Sequence, residues 1–189
     1  MSKYFYDTEF LEDGKTIELI SIGIVSDDGR EYYAVNNDAP WMRIGGNEWL
    51  MKNVVPSLPT VKSAQARTLA DALKIRGGSL VIDRKHEAVK PQWVIANEVR
   101  AFLLAQDGGP ELWAWCAAYD HVKLAQLYGP MITMPKGLPH KTHDIETLML
   151  LKGVGDNDLP KQADGQHNAL EDARHVKTMY DYITQGSKS

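Results

Sequence analysis

Apolar and polar positions alternate along the first third of the chain, and the alternation predicts three strands. The stretch Tyr4–Phe10 is aromatic-rich and extended. Glu18–Val25 follows, with Ile20, Ile22 and Ile24 on one face, and Gly23 inside it marks a place where another element packs close to the backbone. A third run, Glu31–Val35, comes after the turn Asp27-Asp28-Gly29-Arg30, as the second comes after Asp13-Gly14. Short turns make these three strands an antiparallel meander. Beyond them the period lengthens. Helices are expected over about Glu48–Val55, stopped by Pro56 and Pro59, and over about Ala64–Ile75, ended by Gly77-Gly78, with a short strand near Leu80–Ile82. A helix over Trp93–Ala105 presents Val94, Val99, Phe102 and Leu103 as its apolar face. Glu111–Cys116 reads as a buried strand, and Asp120 as the residue that opens a helix over His121–Tyr128. His143–Leu151 reads as helical, Gly153–Gly165 as a polar loop, and Ala169–Thr184 as the last helix. Strands first, then helices interleaved with strands, predict an α/β fold: a mixed sheet flanked by helices.

Two carboxylates interrupt the first strand. Asp7 and Glu9 are two residues apart, so they share a face, roughly 7 Å apart along the strand. An ordinary acidic strand end would satisfy the pattern. So would a site in which divalent cations relieve the repulsion of two carboxylates forced together. Asp144-Ile145-Glu146 repeats the spacing, but there it falls in a helical pattern, where positions two apart diverge by about 200°. Asp144 is therefore read as a helix-start residue favoured by the macrodipole.

Further acids extend the first pair. Asp120 follows a strand, where side chains of α/β sites gather. Asn168 is a good N-cap for the last helix with Glu171 three residues on, a pattern that resembles a capping box. That leaves His167 in the loop and Asp172 in the first turns. Together, Asp7, Glu9, Asp120 and Asp172 would suit two Mg²⁺ or Mn²⁺ ions, both of which prefer oxygen. A histidine beside them, titrating near neutrality, suits proton transfer from water.

Asp-x-Glu, a central Asp and His-x4-Asp, in this order, resemble the DEDDh 3′-to-5′ exonucleases, which have a ribonuclease H-like fold. Tyr6-Asp7-Thr8-Glu9-Phe10, Glu18–Gly23, Asp28–Val35, Leu112–Trp115 with Ala118–Val122, and His167 with Ala169-Leu170 and Asp172–Arg174 are similar to the bacterial ribonuclease AS group. The resemblance covers most of the chain outside about 40–100. It implies metal-dependent removal of nucleotides from RNA with a free 3′ end, an adenylate preference, a homodimer, and Asp7, Glu9, Asp120, His167 and Asp172 as the catalytic set. Proofreading members carry Asn-x-x-Phe-Asp where Cys116 and Tyr119 precede Asp120 here, which counts against DNA proofreading. Two rival readings stand beside this one: the same chemistry on DNA, and a catalytically silent nucleic-acid-binding domain of the same fold.

Composition narrows the setting. The 189 residues are 43% hydrophobic and 24% charged, as expected for one globular domain. There is neither an apolar run long enough to cross a membrane nor a charged-then-apolar leader, and Cys116 is the single cysteine. A cytoplasmic protein is expected. The formal charge is −4, yet residues 61–90 are basic, with Lys62, Arg67, Lys74, Arg76, Arg84 and Lys85 available to line the path of RNA. Thr8, Phe10, Trp115, Tyr119, His121, Arg84 and Lys85 are the candidates for substrate contact. Trp113 and Trp115, read on one strand face, are candidate stacking platforms. Cys116, read in an apolar strand, is expected to be inert packing.

Overall fold

Strand β1 (Ser2–Glu12) is the centre of the molecule, because every layer is built against it. In the computed structural model, which describes residues 1–62, 72–74 and 80–185, β1 pairs antiparallel with β2 (Ile17–Ser26), and β2 with β3 (Glu31–Asn36). This is the expected meander. On the other side β1 runs parallel to β8 (Pro110–Ala114), and β8 to β9 (His143–Asp144). The two-residue β7 (Val89–Lys90) lies parallel to β3, giving the order β7-β3-β2-β1-β8-β9. A smaller antiparallel sheet holds β4 (Thr60–Lys62), β6 (Leu80–Asp83) and β5 (Ala72–Lys74).

Helices cover both faces of the large sheet, the arrangement of a ribonuclease H-like fold. α3 (Gln92–Leu103) and α4 (Ala117–Gln126) pack Ile95, Val99, Leu103 and Leu124 against Tyr4, Tyr6, Ile22, Ile24 and Leu112. α5 (Ile145–Lys152) and α6 (Ala169–Gln185) pack Ile145, Met149, Val176, Met179 and Ile183 around Phe5. Tyr4 and Tyr6 thus face one way and Phe5 the other, as the two-residue period of a strand requires. The short helices α1 (Trp41–Ile44) and α2 (Glu48–Asn53) close a third cluster over Leu11, Ile20 and Val35. No helix among the described residues is long and apolar enough to cross a membrane.

Several expectations are corrected. α2 stops at Asn53, and Val55–Ser57 forms a separate 3₁₀ turn; α1 lacks the length to show a helical period in the sequence. Ala72–Lys74 is extended, not helical, because it pairs with β6; residues 63–71 and 75–79, with the rest of that expected helix and its Gly77-Gly78 break, lie outside the described residues. On α3 the buried position is Ile95 rather than Val94, since 95, 99 and 103 keep a helical stripe. His143 and Asp144 extend the sheet, and α5 begins only at Ile145. β8 ends at Ala114, so Trp115 and Cys116 form a turn and do not share the strand with Trp113. Cys116 is exposed at φ 52°, not packed in a strand. Helix α4 starts at Ala117, which puts Asp120 inside the helix rather than at its cap.

Gly23 is where the close approach expected from the sequence occurs. It pairs with Asp7 of β1, and a Cβ added to it would lie 2.2 Å from the carbonyl oxygen of Ala169 and 2.3 Å from the nitrogen of Leu170. The first turn of α6 therefore rests directly on β2, one strand from the acidic pair, and only glycine leaves room for it. Gly23→Ala is expected to destabilise the fold by about 1–3 kcal/mol or more, the usual cost of overpacking, and to push α6 off the sheet. A melting temperature within 1 °C or so of wild type would show that the approach is dispensable.

Candidate active site

The parallel partner of β1 runs out early, and the site occupies the gap. β8 pairs only with Ser2–Phe5, so farther along β1 the strand has an open edge. There the N–H of Thr8 donates to Asp120 Oδ1 at 2.8 Å, and the Thr8 hydroxyl donates to the same oxygen at 2.6 Å. Both residues are buried. A carboxylate from α4 thus takes the place of a ladder acceptor and is fixed beside Asp7 and Glu9. The start of α4 is itself held by Asp144, whose Oδ2 accepts from the Ala117 N–H at 2.7 Å while its Oδ1 accepts from the Glu146 N–H at 2.7 Å. The helix-start role read for Asp144 is present, and the same side chain also anchors the helix that carries Asp120.

The turn before α6 delivers His167, and the first turn of α6 delivers Asp172. Asn168 caps the helix, its Oδ1 accepting from the N–H groups of Leu170 at 3.1 Å and Glu171 at 3.3 Å. Glu171 pairs with Arg174. The imidazole Nδ1 of His167 lies 3.9 Å from Glu9 Oε1. Glu9, His167 and Asp172 each present a ligand atom within 4.8 Å of the others. Asp172 Oδ1 accepts from Gln162 Nε2 at 2.7 Å. Asp172, His175, Val176 and Met179 recur at helical spacing and form one wall of a cleft of about 680 Å³, which Asp7 and His167 also line. Trp115, Leu159 and Pro160 supply apolar wall, and Lys161, Gln162 and Gln166 supply polar groups.

The electrostatics follow from this crowding. Burial first, and then the charges of Asp120, Glu9 and Asp172, hold the Asp7 carboxyl well above the ordinary range. Glu9 is pushed up to about 8 by burial, with Asp172 and Asp120 adding to it. Asp120 is raised by burial even though the two bonds from Thr8 favour its ionised form. Asp172 is raised by burial against the opposing effects of Gln162 and His167. Desolvation raises all four, and like charge adds to it at Asp7, Glu9 and Asp120.

The candidate contact residues divide by environment. Thr8 is occupied in holding Asp120. Phe10 and Tyr119 stack on each other, ring centroids 5.9 Å apart, and Tyr119 is half exposed. Trp115 faces the cleft, whereas Trp113 packs against His143 and Tyr180 and donates to Glu111. His121 is half-buried, its Nδ1 3.0 Å from the Thr142 hydroxyl. Arg84 donates to Asn37 at 2.9 Å, and neither it nor Lys85 lines the cleft. Arg67 and Arg76 lie outside the described residues. Gln162 and His175 had no motif to announce them. His175 was reachable only as the residue one helical turn beyond Asp172.

A mixed sheet flanked by helices, with acids from β1, α4 and α6 gathered at its open edge, defines the class of the protein. The chain belongs to the Rv2179c-like 3′-5′ exoribonuclease domain family, whose model matches residues 78–184. It is 37% identical over 189 aligned positions to the 3′-5′ exoribonuclease Rv2179c of Mycobacterium tuberculosis (strain ATCC 25618 / H37Rv), covering 96% of this chain and 93% of that protein. The 3′-5′ exoribonuclease MT2234.1 of Mycobacterium tuberculosis (strain CDC 1551 / Oshkosh) matches at the same identity and coverage.

Raised carboxyl pKa values make a stability prediction. Between the unfolded value near 4.5 and the folded value near 8, Glu9 binds more proton in the native state than in the unfolded one. Stability of the ion-free protein should therefore fall as pH rises through that window. In chelator the melting temperature should drop by several degrees from pH 5 to pH 8, since about 1 kcal/mol corresponds to roughly 2–4 °C for a domain this size. Asp7→Asn should flatten the drop. A melting temperature that rises across the same range would contradict the site's electrostatics.

Proposed function

We propose that the protein is a metal-dependent 3′-5′ exoribonuclease that hydrolyses the terminal phosphodiester bond of RNA with a free 3′ end. The observation that carries this reading is the convergence of Asp7, Glu9, Asp120 and Asp172 at the open edge of β1, with His167 beside them. The donor set is oxygen-rich, and burial with mutual repulsion disfavours its ionised form, which suits hard divalent cations. The four carboxylates would hold two Mg²⁺ or Mn²⁺ ions, and ions bound there supply acidified water and charge neutralisation at the leaving oxygen.

The chain's own groups do the remainder. Thr8 keeps Asp120 in register with β1, and Gln162 occupies one oxygen of Asp172. His167 accepts a proton from the attacking water at a ring nitrogen. The water oxygen bonds to phosphorus, the P–O3′ bond to the penultimate nucleotide breaks, the freed 3′ oxygen takes up a proton from solvent to become a hydroxyl, and a nucleoside 5′-monophosphate leaves. The cleft beside Asp7 and Asp172 offers room, apolar wall and amide groups for a nucleotide. Its Trp115 can cover a base, and Phe10 with Tyr119 forms a second aromatic surface beside Glu9 and Asp120. The resemblance to the ribonuclease AS group extends the proposal to adenylate-containing RNA and to a homodimer.

Labelled RNA and DNA oligonucleotides of matched sequence, with free or blocked 3′ ends, test the reading. RNA with a free end should shorten one nucleotide at a time, chelator should stop it, and Mg²⁺ or Mn²⁺ should restore it. His167→Ala should lose about 10²–10⁴-fold in kcat, the range for a positioned proton acceptor. Equal digestion of blocked RNA, or activity that survives chelation, would overturn the proposal; preference for DNA would favour the first rival.

A further inference from the structure

His167 sits in a backbone conformation that needs support. Its φ is 63°, a left-handed value uncommon for a residue with a Cβ, and such conformations persist where the surroundings over-determine them. The support comes from the segment just after α2. The Ser57 hydroxyl donates to the His167 carbonyl at 2.6 Å, and Asn168 Nδ2 donates to the Ser57 carbonyl at 3.2 Å. The backbone on either side of the imidazole is thereby fixed from one turn.

The ring itself is still 38% exposed and would be free to rotate away from the carboxylates. One large side chain stands against it. The indole of Trp49 meets the imidazole edge to face, centroids 5.0 Å apart and planes at 77°, within the usual geometry of aromatic pairs. Nδ1 faces Glu9 from another side. Trp49 is 54% exposed, and the residue that α2 buries is Leu50. A tryptophan this exposed contributes little to the core, so its position over His167 is its most specific contact.

We propose that Trp49 is the positioning residue for His167: its indole keeps the imidazole turned toward the carboxylate cluster, while Ser57 fixes the backbone beneath it. The inference rests on the reading of His167 as the proton acceptor. A base must lie within hydrogen-bond reach of the proton it takes. A wall that removes outward-pointing rotamers keeps it there without touching the reacting atoms.

Trp49→Ala, Trp49→Phe, His167→Ala and the Trp49→Ala/His167→Ala double variant separate the possibilities on a short RNA substrate, with Mn²⁺ binding and melting temperature measured alongside. Trp49→Ala should lower kcat by about 10- to 100-fold, the scale of a small misplacement of a reacting group, with KM, Mn²⁺ affinity and melting temperature close to wild type. Trp49→Phe should recover most of the loss. The double variant should be no slower than His167→Ala, because both changes act through one group. A rise in KM with kcat unchanged would assign the indole to substrate binding and overturn the proposal. So would a fully additive double variant, or a loss in Trp49→Ala that follows the melting temperature. Undiminished kcat in His167→Ala would instead remove the reading of His167 as base, whatever Trp49 does.

Discussion

Repulsion among buried carboxylates is the constraint around which this protein is arranged. Asp7 and Glu9 cannot separate, because the strand that carries them is paired with β2 along its length. Asp120 cannot retreat, because two bonds from Thr8 hold it to the same strand. Asp172 is brought in by a helix that rests on Gly23 with no space to spare. The backbone thus enforces a charge arrangement that the side chains alone would not adopt, and the result is a set of raised carboxyl pKa values. Stability is given up locally, because carboxyl groups held this close and this dry are costly to ionise, and perturbed groups of this kind gather at functional sites.

Strain of a second kind accompanies it. His167 has a left-handed backbone, fixed by Ser57 and Asn168, with Trp49 against its ring. Trp49 and Ser57 come from α2 and the turn behind it, which lie over the meander rather than in the sheet. A short peripheral element therefore governs the geometry of the histidine, while the sheet governs the acids. The site has two independent supports.

Much of this was legible in the sequence, because local patterns dictate it. Alternation marked the meander, Gly23 announced a close approach to its backbone (by which element it did not say), and Asn168 marked the start of the last helix. The Asp-x-Glu pair on a strand followed from side-chain period alone, whereas Asp144, expected inside a helical run, lies in β9 and caps α5. What local patterns could not reveal was decided at long range. Ala72–Lys74 is extended because β6 pairs with it, despite its helical composition. β8 ends at Ala114 because the chain must turn over the sheet end, which moved Asp120 from a cap into the helix and left Cys116 exposed. The tether from Thr8, 112 residues away from Asp120 in sequence, has no local signal at all.

The central claim is that the enforced carboxylates are a cation site, held partly protonated until cations bind. Calorimetric titration of the ion-free protein with Mn²⁺ at pH 7, in two buffers of different ionisation enthalpy, tests it directly. Binding of two ions per chain with net release of protons is the predicted result, since the ligands must ionise to bind. Failure to bind Mn²⁺, or binding with no release of protons, would contradict the account.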